Sequence, residues 1–407
     1  MSFQQGLSGL KAASTSLDVI GHNIANANTT GMKASRAEFA ELYASSLGSS
    51  GGASTGIGVE VGAVSQQFTQ GNISITGNSL DVAINGNGFF QVELPNGNVA
   101  YSRDGSFKLN ADGEIITNTG AHLLGVPADA TGAVLAGGAV GPMVLPTGGA
   151  IPAKVSTEAE FSFNLDARAA IATGTIGPPS TLVPPLETYG TSMDMYDAQG
   201  VSIPVAFYFT KSAANTWDVY SSINGAAPTT NGQLTFDING LAITPLTLTP
   251  VTLPDPVGGT FDVALDMDKA TQFGAKFGVS DVHQDGQTSG KLTGITIDES
   301  GVIQGQYSNG KQLAAGQIQL VTFTNVQGLA PIGSNYWMRT PASGDPSSKG
   351  PPGTGNLGAV RSGALEDSNV DLTSELVNMM TAQRAYQANA QTIKTQDQVM
   401  NTLVNMR

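Results

Sequence analysis

The two ends of this chain carry apolar side chains at a spacing of seven residues, and this spacing constrains the fold more than any other feature. Near the start, the residues with this spacing are Phe3, Leu10, Leu17 and Ile24, and Leu7, Ala13, Ile20 and Ala27 occupy flanking positions. Near the end it is kept by Leu372, Met379, Tyr386, Ile393 and Met400, with Leu376, Ala382, Ala390, Leu403 and Val404 beside them. A heptad stripe is typical of a helix that packs against another helix. We therefore predict terminal helices that pair as a coiled coil.

The first helix is predicted to end within residues 26–31, which have a turn composition, and the second to cover residues 372–405 with Asp371 as its N-cap. A lone helix pair buries only one stripe, and long isolated helices are marginal in water. Neighbouring copies of the pair would supply the missing surface. The residues predicted for helix packing and polymerisation are Phe3, Leu7, Leu10, Leu17, Ile20, Ile24, Leu372, Leu376, Met379, Tyr386, Ile393, Met400 and Leu403.

Between the ends the sequence favours β structure. Asn-Gly and Asp-Gly pairs recur, and such pairs favour tight hairpins because they tolerate positive φ. Among them are Asn85-Gly86, Asn96-Gly97, Asp104-Gly105, Asp112-Gly113, Asn224-Gly225, Asn239-Gly240 and Asn309-Gly310. Alternating or apolar runs flank them, as at residues 89–94 and 205–209. The predicted fold class is mainly β with α-helical termini, and the β body is mostly antiparallel.

Charge and composition exclude several classes of partner. The formal net charge is −14, so a phosphate backbone would be repelled and a nucleic-acid partner is not expected. Residues 145–290 hold 14 acidic and 5 basic side chains, whereas residues 1–50 hold 3 of each. The middle is therefore predicted to face water. No run of about 18 apolar residues exists, so no membrane insertion is expected, and the N-terminus lacks the pattern of a cleaved signal peptide.

Searches for catalytic, metal-binding or cofactor-binding chemistry find nothing with the required context. The chain has no cysteine, and His22, His122 and His283 lie far apart without a ligand set. The G-x-S-x-G match around Ser54 lies in a Gly/Ser-rich stretch, not at a strand-to-helix turn. The carboxylates near Asp266 fail the calcium-loop pattern. We expect no catalytic, metal or cofactor site, and the chain is predicted not to be an enzyme.

Three motifs in order resemble those of the bacterial flagellar rod and hook proteins. They are residues 26–33 (NANTTGMK), residues 76–90 (TGNSLDVAINGNGFF) with 101–107 (YSRDGSF), and residues 368–372 (SNVDL) with 383–389 (QRAYQAN). Met32 stands where the family usually has Phe. The motif residues singled out are Asn26, Asn28, Thr30, Gly31, Gly86, Gly88, Phe89, Phe90, Asn369, Asp371, Arg384 and Asn389.

The large middle segment favours the hook members of this family. Residues 196–200, residues 205–209 and Trp217 resemble the outer domain of hook proteins, and the distal rod protein is the alternative. The resemblance implies a discontinuous inner β domain with an inserted outer one. The predicted domains are residues 1–30 with 364–407 (terminal helical), 31–70 (connecting, with a Gly/Ser linker), 71–145 with 290–363 (inner β) and 146–289 (outer β).

The same resemblance implies a function. The terminal helices would form the inner tube around an export channel, and the helical homopolymer would be a flexible joint that passes motor torque to the filament. Expected partners are the rod, hook cap and hook-filament junction proteins and the type III export apparatus. Expected localisation is the extracellular flagellar hook, reached without a cleaved signal peptide.

A hinge between the helical and β layers is predicted in the Gly/Ser-rich stretch 48–58, at Gly48, Gly51, Gly52 and Gly56. Two other functions stay open from the residues alone. A secreted β-rich binding protein would need an exposed apolar recognition patch, and a hydrolase built on Ser54 would need a histidine and an acid beside it.

Overall fold

A computed structural model of the chain describes residues 2–43, 56–129, 132–135, 137–146, 150–172, 176–177, 181–182, 188–243, 248–255 and 258–405. The chain forms two compact units. The first consists of Met1–Gly148, Thr293–Gln306 and Gln312–Arg407, and the second of Gly149–Leu292 and Tyr307–Lys311. Both ends of the polypeptide therefore belong to the first unit.

Two long helices lie at the ends of the chain, and they pack against each other, as the heptad stripes predict. Helix α1 spans Ser2–Ala25 and helix α2 spans Leu372–Asn405. The Asp371 carboxylate accepts from the backbone N–H of Thr373 at 2.9 Å and from the hydroxyl of Ser374 at 2.9 Å, which confirms it as the N-cap of α2. At the end of α1 the Asn26 side-chain amide donates to the carbonyl of His22 at 2.9 Å.

A two-stranded antiparallel ribbon follows α1. It consists of β1 (Ser35–Tyr43) and β2 (Gly56–Gln66), and both strands contact α1. The Gln5 side chain donates to the carbonyl of Gly56 at 2.5 Å, and the backbone N–H of Val59 donates to the Ser8 hydroxyl at 3.3 Å. The first half of α1 is therefore held along the ribbon.

The main sheet of the first unit contains the strands Phe89–Glu93, Val99–Ser102, Phe107–Leu109, Ile115–Thr117, His122–Pro127, Gly141–Pro142, Leu292–Ile297, Val302–Tyr307, Gln312–Ile318, Leu320–Thr322, Ala330–Gly333, Tyr336–Met338 and Ser348–Gly350. Two short pairs add Val82–Asn85 with Ala359–Ser362 and Ile73–Ile75 with Ala364–Glu366, and a 3₁₀ turn lies at Val326–Gly328. The strand Ala364–Glu366 falls at the start of the segment 364–407, which is predicted to belong to the terminal helical domain, and it pairs with Ile73–Ile75.

The first unit has buried hydrophobic clusters on both faces of its main sheet, and the consecutive residues Phe89 and Phe90 contribute to different ones. Phe90 is fully buried and meets Phe107 edge to face with ring centroids 5.3 Å apart. Phe89 points the other way and meets Phe323 and Trp337 at 6.3 and 5.8 Å. Neighbouring residues of a strand face opposite sides of the sheet, so this Phe-Phe pair supplies both sides.

The second unit has its own core. Its sheets contain the strands Thr188–Tyr196, Ser202–Ala213, Thr216–Ile223 and Thr229–Thr235 in one, and Glu158–Asp166, Val251–Asp255, Gly259–Asp266, Thr271–Phe273 and Gly278–Gln284 in the other, with a separate pair Ile176–Gly177 and Thr181–Leu182. The strand Glu158–Asp166 pairs in parallel with two neighbours, a local departure from the antiparallel rule. Trp217 is fully buried in this core, and its indole N–H donates to Gln272 at 3.2 Å.

Of the seven Asn-Gly and Asp-Gly pairs named above, five connect antiparallel partners as predicted and two do not. The pairs that close hairpins stand at Gly97, Gly113, Gly225, Gly240 and Gly310, all with positive φ. Asn85-Gly86 and Asp104-Gly105 instead join strands that pair with other partners, so the hairpin prediction is wrong there. A turn dipeptide determines the local bend of the chain, but tertiary packing determines which strands pair.

Candidate functional site

The contact between α1 and α2 is built on small residues of α1. Two buried residues of α1 contact α2, Gly6 beside Ile393 and Asn23 through the Glu375 carboxylate. A side-chain carbon at Gly6 would lie 3.2 Å from Cγ1 of Ile393, and one at Gly9 would lie 2.8 Å from the Asn389 amide. We call this contact the helix seam. Small residues let the two helices approach closely.

The large residues of the predicted α1 stripe differ in how far one chain covers them. Phe3 and Leu7 are about half exposed, and Leu10, Leu17 and Ile24 are half-buried. Only Ile20 of the predicted α1 set is buried. Leu17 and Ile24 lie about three and five turns after Gly6 at 3.6 residues per turn, so the predicted stripe shares the face of α1 on which Gly6 approaches α2.

Helix α2 is open to solvent along its length. Over residues 372–402, where side chains are described, none is buried. Met379 and Ile393 are half-buried, whereas Leu376 and Met400 are 51% and 55% exposed, and Leu372 and Tyr386 are also exposed. The side chain of Leu403 lies outside the described part. Both helices thus present apolar side chains that one chain leaves uncovered.

One buried carboxylate connects three distant segments of the first unit. Glu366 accepts from Lys33 Nζ at 2.6 Å, from Arg103 Nη1 at 3.2 Å and from the backbone N–H of Gly71 at 3.0 Å. Lys33 Nζ also donates to the carbonyl of Thr69 at 2.8 Å. The side chains of Lys33 and Glu366 are fully buried and that of Arg103 nearly so. We call Lys33, Arg103 and Glu366 the charge node.

The charge node sets two cations against one anion in a region closed to water. Burial lowers the pKa of Lys33, Glu366 acts in the opposite direction, and neighbouring Arg103 lowers it further. Burial likewise lowers the pKa of the Arg103 guanidinium against the raising effect of Glu366. Taking charges out of water is costly unless they are well paired. The node therefore depends on Glu366 more than on either cation.

Two asparagines join the helices to the β structure around this node. Asn369 accepts from the backbone N–H of Ala34 at 2.7 Å and donates to the carbonyl of Gln67 at 2.7 Å. Buried Asn23 accepts from the backbone N–H of Ser35 at 2.9 Å and donates to the Glu375 carboxylate of α2 at 3.1 Å. An amide that serves as donor and acceptor can satisfy backbone groups of two segments at once.

The three sequence motifs converge here. Gly31 has φ +69°, and a side-chain carbon on it would lie 2.5 Å from the backbone nitrogen of Asp104. The Asn335 side chain donates to the carbonyl of Thr30 at 2.8 Å, and the Arg103 guanidinium lies 5.2 Å from the centre of the Phe89 ring. The structure therefore brings together the motif residues Thr30, Gly31, Phe89 and Asn369, with Phe90, Gly86 and Gly88 in the adjoining strands and turn, whereas Asp371 caps α2.

Other predicted residues lie apart from this cluster. Asn26 caps α1, Asn28 and Arg384 are exposed, and Asn389 belongs to the helix seam. Lys33, Arg103, Glu366 and Asn23 were not predicted. Lys33 and Arg103 stand inside the quoted motifs, and their charge in a chain with only 12% charged residues is the signal that could have found them.

The predicted hinge needs correction. Gly48, Gly51 and Gly52 lie outside the described residues, as does Ser54 of the hydrolase alternative. Gly56 begins β2 and pairs with Tyr43 at the end of β1. The stretch 48–58 thus connects the two strands of one ribbon, and it does not join the helices to the β body. Those joins are residues 26–34 and 367–371.

Within the described ranges, no three acidic or histidine side chains come together in a way that could hold a metal ion. The same part of the chain has no helix long and apolar enough to cross a membrane.

Four family models match parts of the sequence. They are described as Flagella basal body rod protein (residues 3–33), Flagellar hook protein FlgE/F/G D1 domain (83–159), Flagellar basal body protein FlaE D2 domain (164–287) and Flagellar basal body rod FlgEFG protein C-terminal (361–406). The first and last models cover the two helices. The third lies within the second unit.

Curated relatives match over the full length. Flagellar hook protein FlgE of Salmonella typhimurium is 40% identical over 417 residues and covers 100% of both chains, and that of Escherichia coli is 40% identical over 420 residues with the same coverage. That of Brucella suis is 30% identical over 99% of this chain and 98% of its own. The crystal structure of Helicobacter pylori flagellar hook protein FlgE2 shares the fold, with TM-score 0.57 and 17% identity over 72% of this chain and 100% of that one. The full-length matches show that this chain belongs to the family of flagellar hook proteins FlgE.

Proposed function

We propose that this hook-family chain is a structural subunit without enzymatic activity, which polymerises through its terminal helices into a tube. The tube is the flexible joint that passes motor torque to the filament. The observation that carries the proposal is α2, whose described side chains are never buried although many are apolar. Burying a large apolar side chain stabilises by ~1.5–3 kcal/mol. Neighbouring copies gain this energy by covering the open helix faces.

Single charges on the open faces test this proposal. Leu7→Glu and Met400→Glu place a carboxylate where the side chain is 51% and 55% exposed in one chain, so the subunit is expected to fold. Tubes are expected to be absent in negative-stain electron micrographs, because the covered face would bury an unpaired charge. The matched controls are Gln4→Glu and Gln398→Glu, also at exposed helix positions, which should still form tubes. Normal tubes from both test variants would contradict the proposal.

The finer division into a terminal helical domain, a connecting segment, an inner β domain and an outer β domain is part of this proposal. The helices hold the tube through apolar contacts, and the acid-rich residues 145–290 make weak, hydrated contacts that can slide. Bending between the layers is assigned to residues 26–34 and 367–371, not to the stretch 48–58. Insertion of two glycines after Val370 should soften the tube, as measured by its persistence length.

The proposed partners are the rod, the hook cap and the hook-filament junction proteins, and the type III export apparatus carries the chain to an extracellular site without removing a signal peptide. The family membership supports this route. Mass spectrometry of the protein recovered from sheared flagella tests it, and a shortened N-terminus would contradict it. The distal rod protein is not favoured, because the full-length relatives reported above are hook proteins.

A further inference from the structure

An open groove of about 580 Å³ lies on the first unit. It is lined by Gln91 of the strand Phe89–Glu93, by Val99 and Tyr101 of the next strand, and by Arg339 and Lys349. We call it the donor groove. Neither the helix seam nor the charge node includes any of these five residues.

Gln91 is the residue of the donor groove that has an unsatisfied hydrogen-bonding group. It is 6% exposed, and its amide nitrogen is buried and has no hydrogen-bond partner. It stands opposite Tyr101 in the strand pairing, and Tyr101 stands opposite Trp337, so the three side chains share one face of the sheet. Buried polar groups are nearly always paired, and an exception needs an explanation. A partner that one chain does not contain explains it.

Donors predominate among the other polar groups of the groove, and Asn98 adds an amide that can both donate and accept. Burial raises the pKa of the Tyr101 hydroxyl, which therefore stays protonated at neutral pH. Lys349 is exposed and has no ion-pair partner in the described part of the chain, whereas Arg339 pairs with Asp345. Amide, hydroxyl and ammonium donors that converge on one space suit an anion with several acceptor sites. A carboxylate is such a group.

We propose that the donor groove binds a carboxylate side chain from the second unit of a neighbouring copy. This inference rests on the proposed function, since it needs an assembled polymer. Charge complementarity favours this occupant, because residues 145–290 hold 14 acidic against 5 basic side chains. A carboxylate bound there completes the hydrogen bonds of Gln91 and neutralises Lys349.

Zero-length crosslinking tests the contact. Tubes assembled from an equal mixture of ¹⁴N- and ¹⁵N-labelled chains are treated with a carbodiimide, which joins an amine to a carboxylate in contact with it. The expected product links Lys349 to an Asp or Glu of residues 149–292, with mixed isotope pairs that prove two chains. Lys349→Arg keeps the charge but cannot form the amide, and it should lose only this product.

Gln91→Met separates this contact from a role in folding. The methionine keeps the length of the side chain and removes the unpaired donor. The monomer should therefore be at least as stable to urea, while the critical concentration for assembly should rise about tenfold, because a bond to a charged group is lost. A destabilised monomer with unchanged assembly would overturn the inference.

The outcomes distinguish this inference from the proposed function. Tubes without a Lys349 link, or with links only to carboxylates of the first unit, overturn the groove contact and leave polymerisation intact. Failure of the unaltered chain to form tubes overturns the proposed function, and the groove contact with it.

Discussion

Glu366 faces two cations where water is excluded, so the balance of charge in the first unit depends on a single carboxylate. Its oxygens accept from Lys33, Arg103 and a backbone N–H. No pattern in the sequence distinguishes this glutamate from a solvated one. The motifs do contain Lys33 and Arg103, but their burial follows from the way three remote segments meet. Such a meeting is a property of the tertiary structure.

Replacing Glu366 by Gln is expected to destabilise the first unit by ~3–5 kcal/mol, because it leaves two buried cations without an anion. Equilibrium unfolding in urea measures this loss. The double variant Lys33→Met with Glu366→Gln should recover part of the stability, since it removes one of the unpaired charges.

Glu38→Gln is the control for this prediction. Glu38 pairs with Arg36 at 3.1 Å, but both side chains are well exposed. An exposed ion pair contributes little to stability, so Glu38→Gln should change the free energy of unfolding far less than Glu366→Gln. Equal losses for the two glutamates would contradict the special role of the charge node.

Asp285 is expected to make the stability of the second unit fall at acid pH. Burial alone would raise its pKa, but hydrogen bonds from the hydroxyl and backbone N–H of Thr157, from the N–H of Glu158 and from Lys154 together hold the pKa well below its usual 3.8. A depressed carboxyl pKa adds stability that is present above pH 3.8 and is lost as the pH falls through the folded-state pKa. Asp285→Asn should therefore reduce stability at pH 7 and flatten its fall below pH 4, as seen in melting temperatures across pH.

Asp104 is expected to affect the pH dependence of stability in the opposite direction to Asp285. Burial raises its pKa, although hydrogen bonds from Ser106 lower it in part. A raised carboxyl pKa favours the folded state in acid and opposes it once the group ionises. Asp104→Asn should therefore cost less stability at pH 7 than in acid. A fall of equal size at both pH values would contradict the assignment.

At the scale of elements, the sequence predicts both helices and their pairing, but not the glycines at which they meet. Phe3 and Leu7 of the predicted stripe are about half exposed, whereas Gly6 and Gly9 approach Ile393 and Asn389 of α2. Hydrophobic periodicity ranks residues by size and apolarity. Glycine adds nothing to such a pattern, so the stripe alone could not identify the points of closest helix approach.

Two glycines of α1 provide a matched test of the seam. A side-chain carbon at Gly9 would lie 2.8 Å from the Asn389 amide, whereas one at Gly21 meets nothing within 4 Å. Gly21→Ala should stabilise the chain by ~0.5–1 kcal/mol, since alanine favours helix. Gly9→Ala should lose that gain and cost a further ~1 kcal/mol from overpacking.

Thermal melts followed by circular dichroism at 222 nm compare these variants. The double variant Gly9→Ala with Asn389→Ala removes the crowding group and should approach the stability of Gly21→Ala. If Gly9→Ala alone matches Gly21→Ala, the helices do not approach closely at this point.

At the scale of the whole molecule, the uncovered helices predict a difference between free and assembled subunits. Arg384 and Lys394 are exposed on α2. Trypsin should cut after them readily in the monomer, because a helix without tertiary support opens locally. In tubes the cleavage should be at least about tenfold slower, since opening then requires loss of the intersubunit contacts as well.

The Leu7→Glu variant at the same high concentration serves as the control, because it should remain unassembled and cleavable. Equal cleavage of α2 in monomers and tubes would show that the helix is not covered on assembly.

The contact between Lys33 and Glu366 also bears on when the fold can be completed. These residues are 333 positions apart, so their pairing closes a loop that contains most of the polypeptide. Contacts of such sequence separation are slow to form, because the entropy of closing the loop is lost before the contact stabilises anything. A chain interrupted before residue 366 would bury Lys33 and Arg103 without their counter-charge. The first unit is therefore disfavoured in every chain that ends before Glu366, so a nascent subunit can complete this fold only when nearly all of its polypeptide has been made.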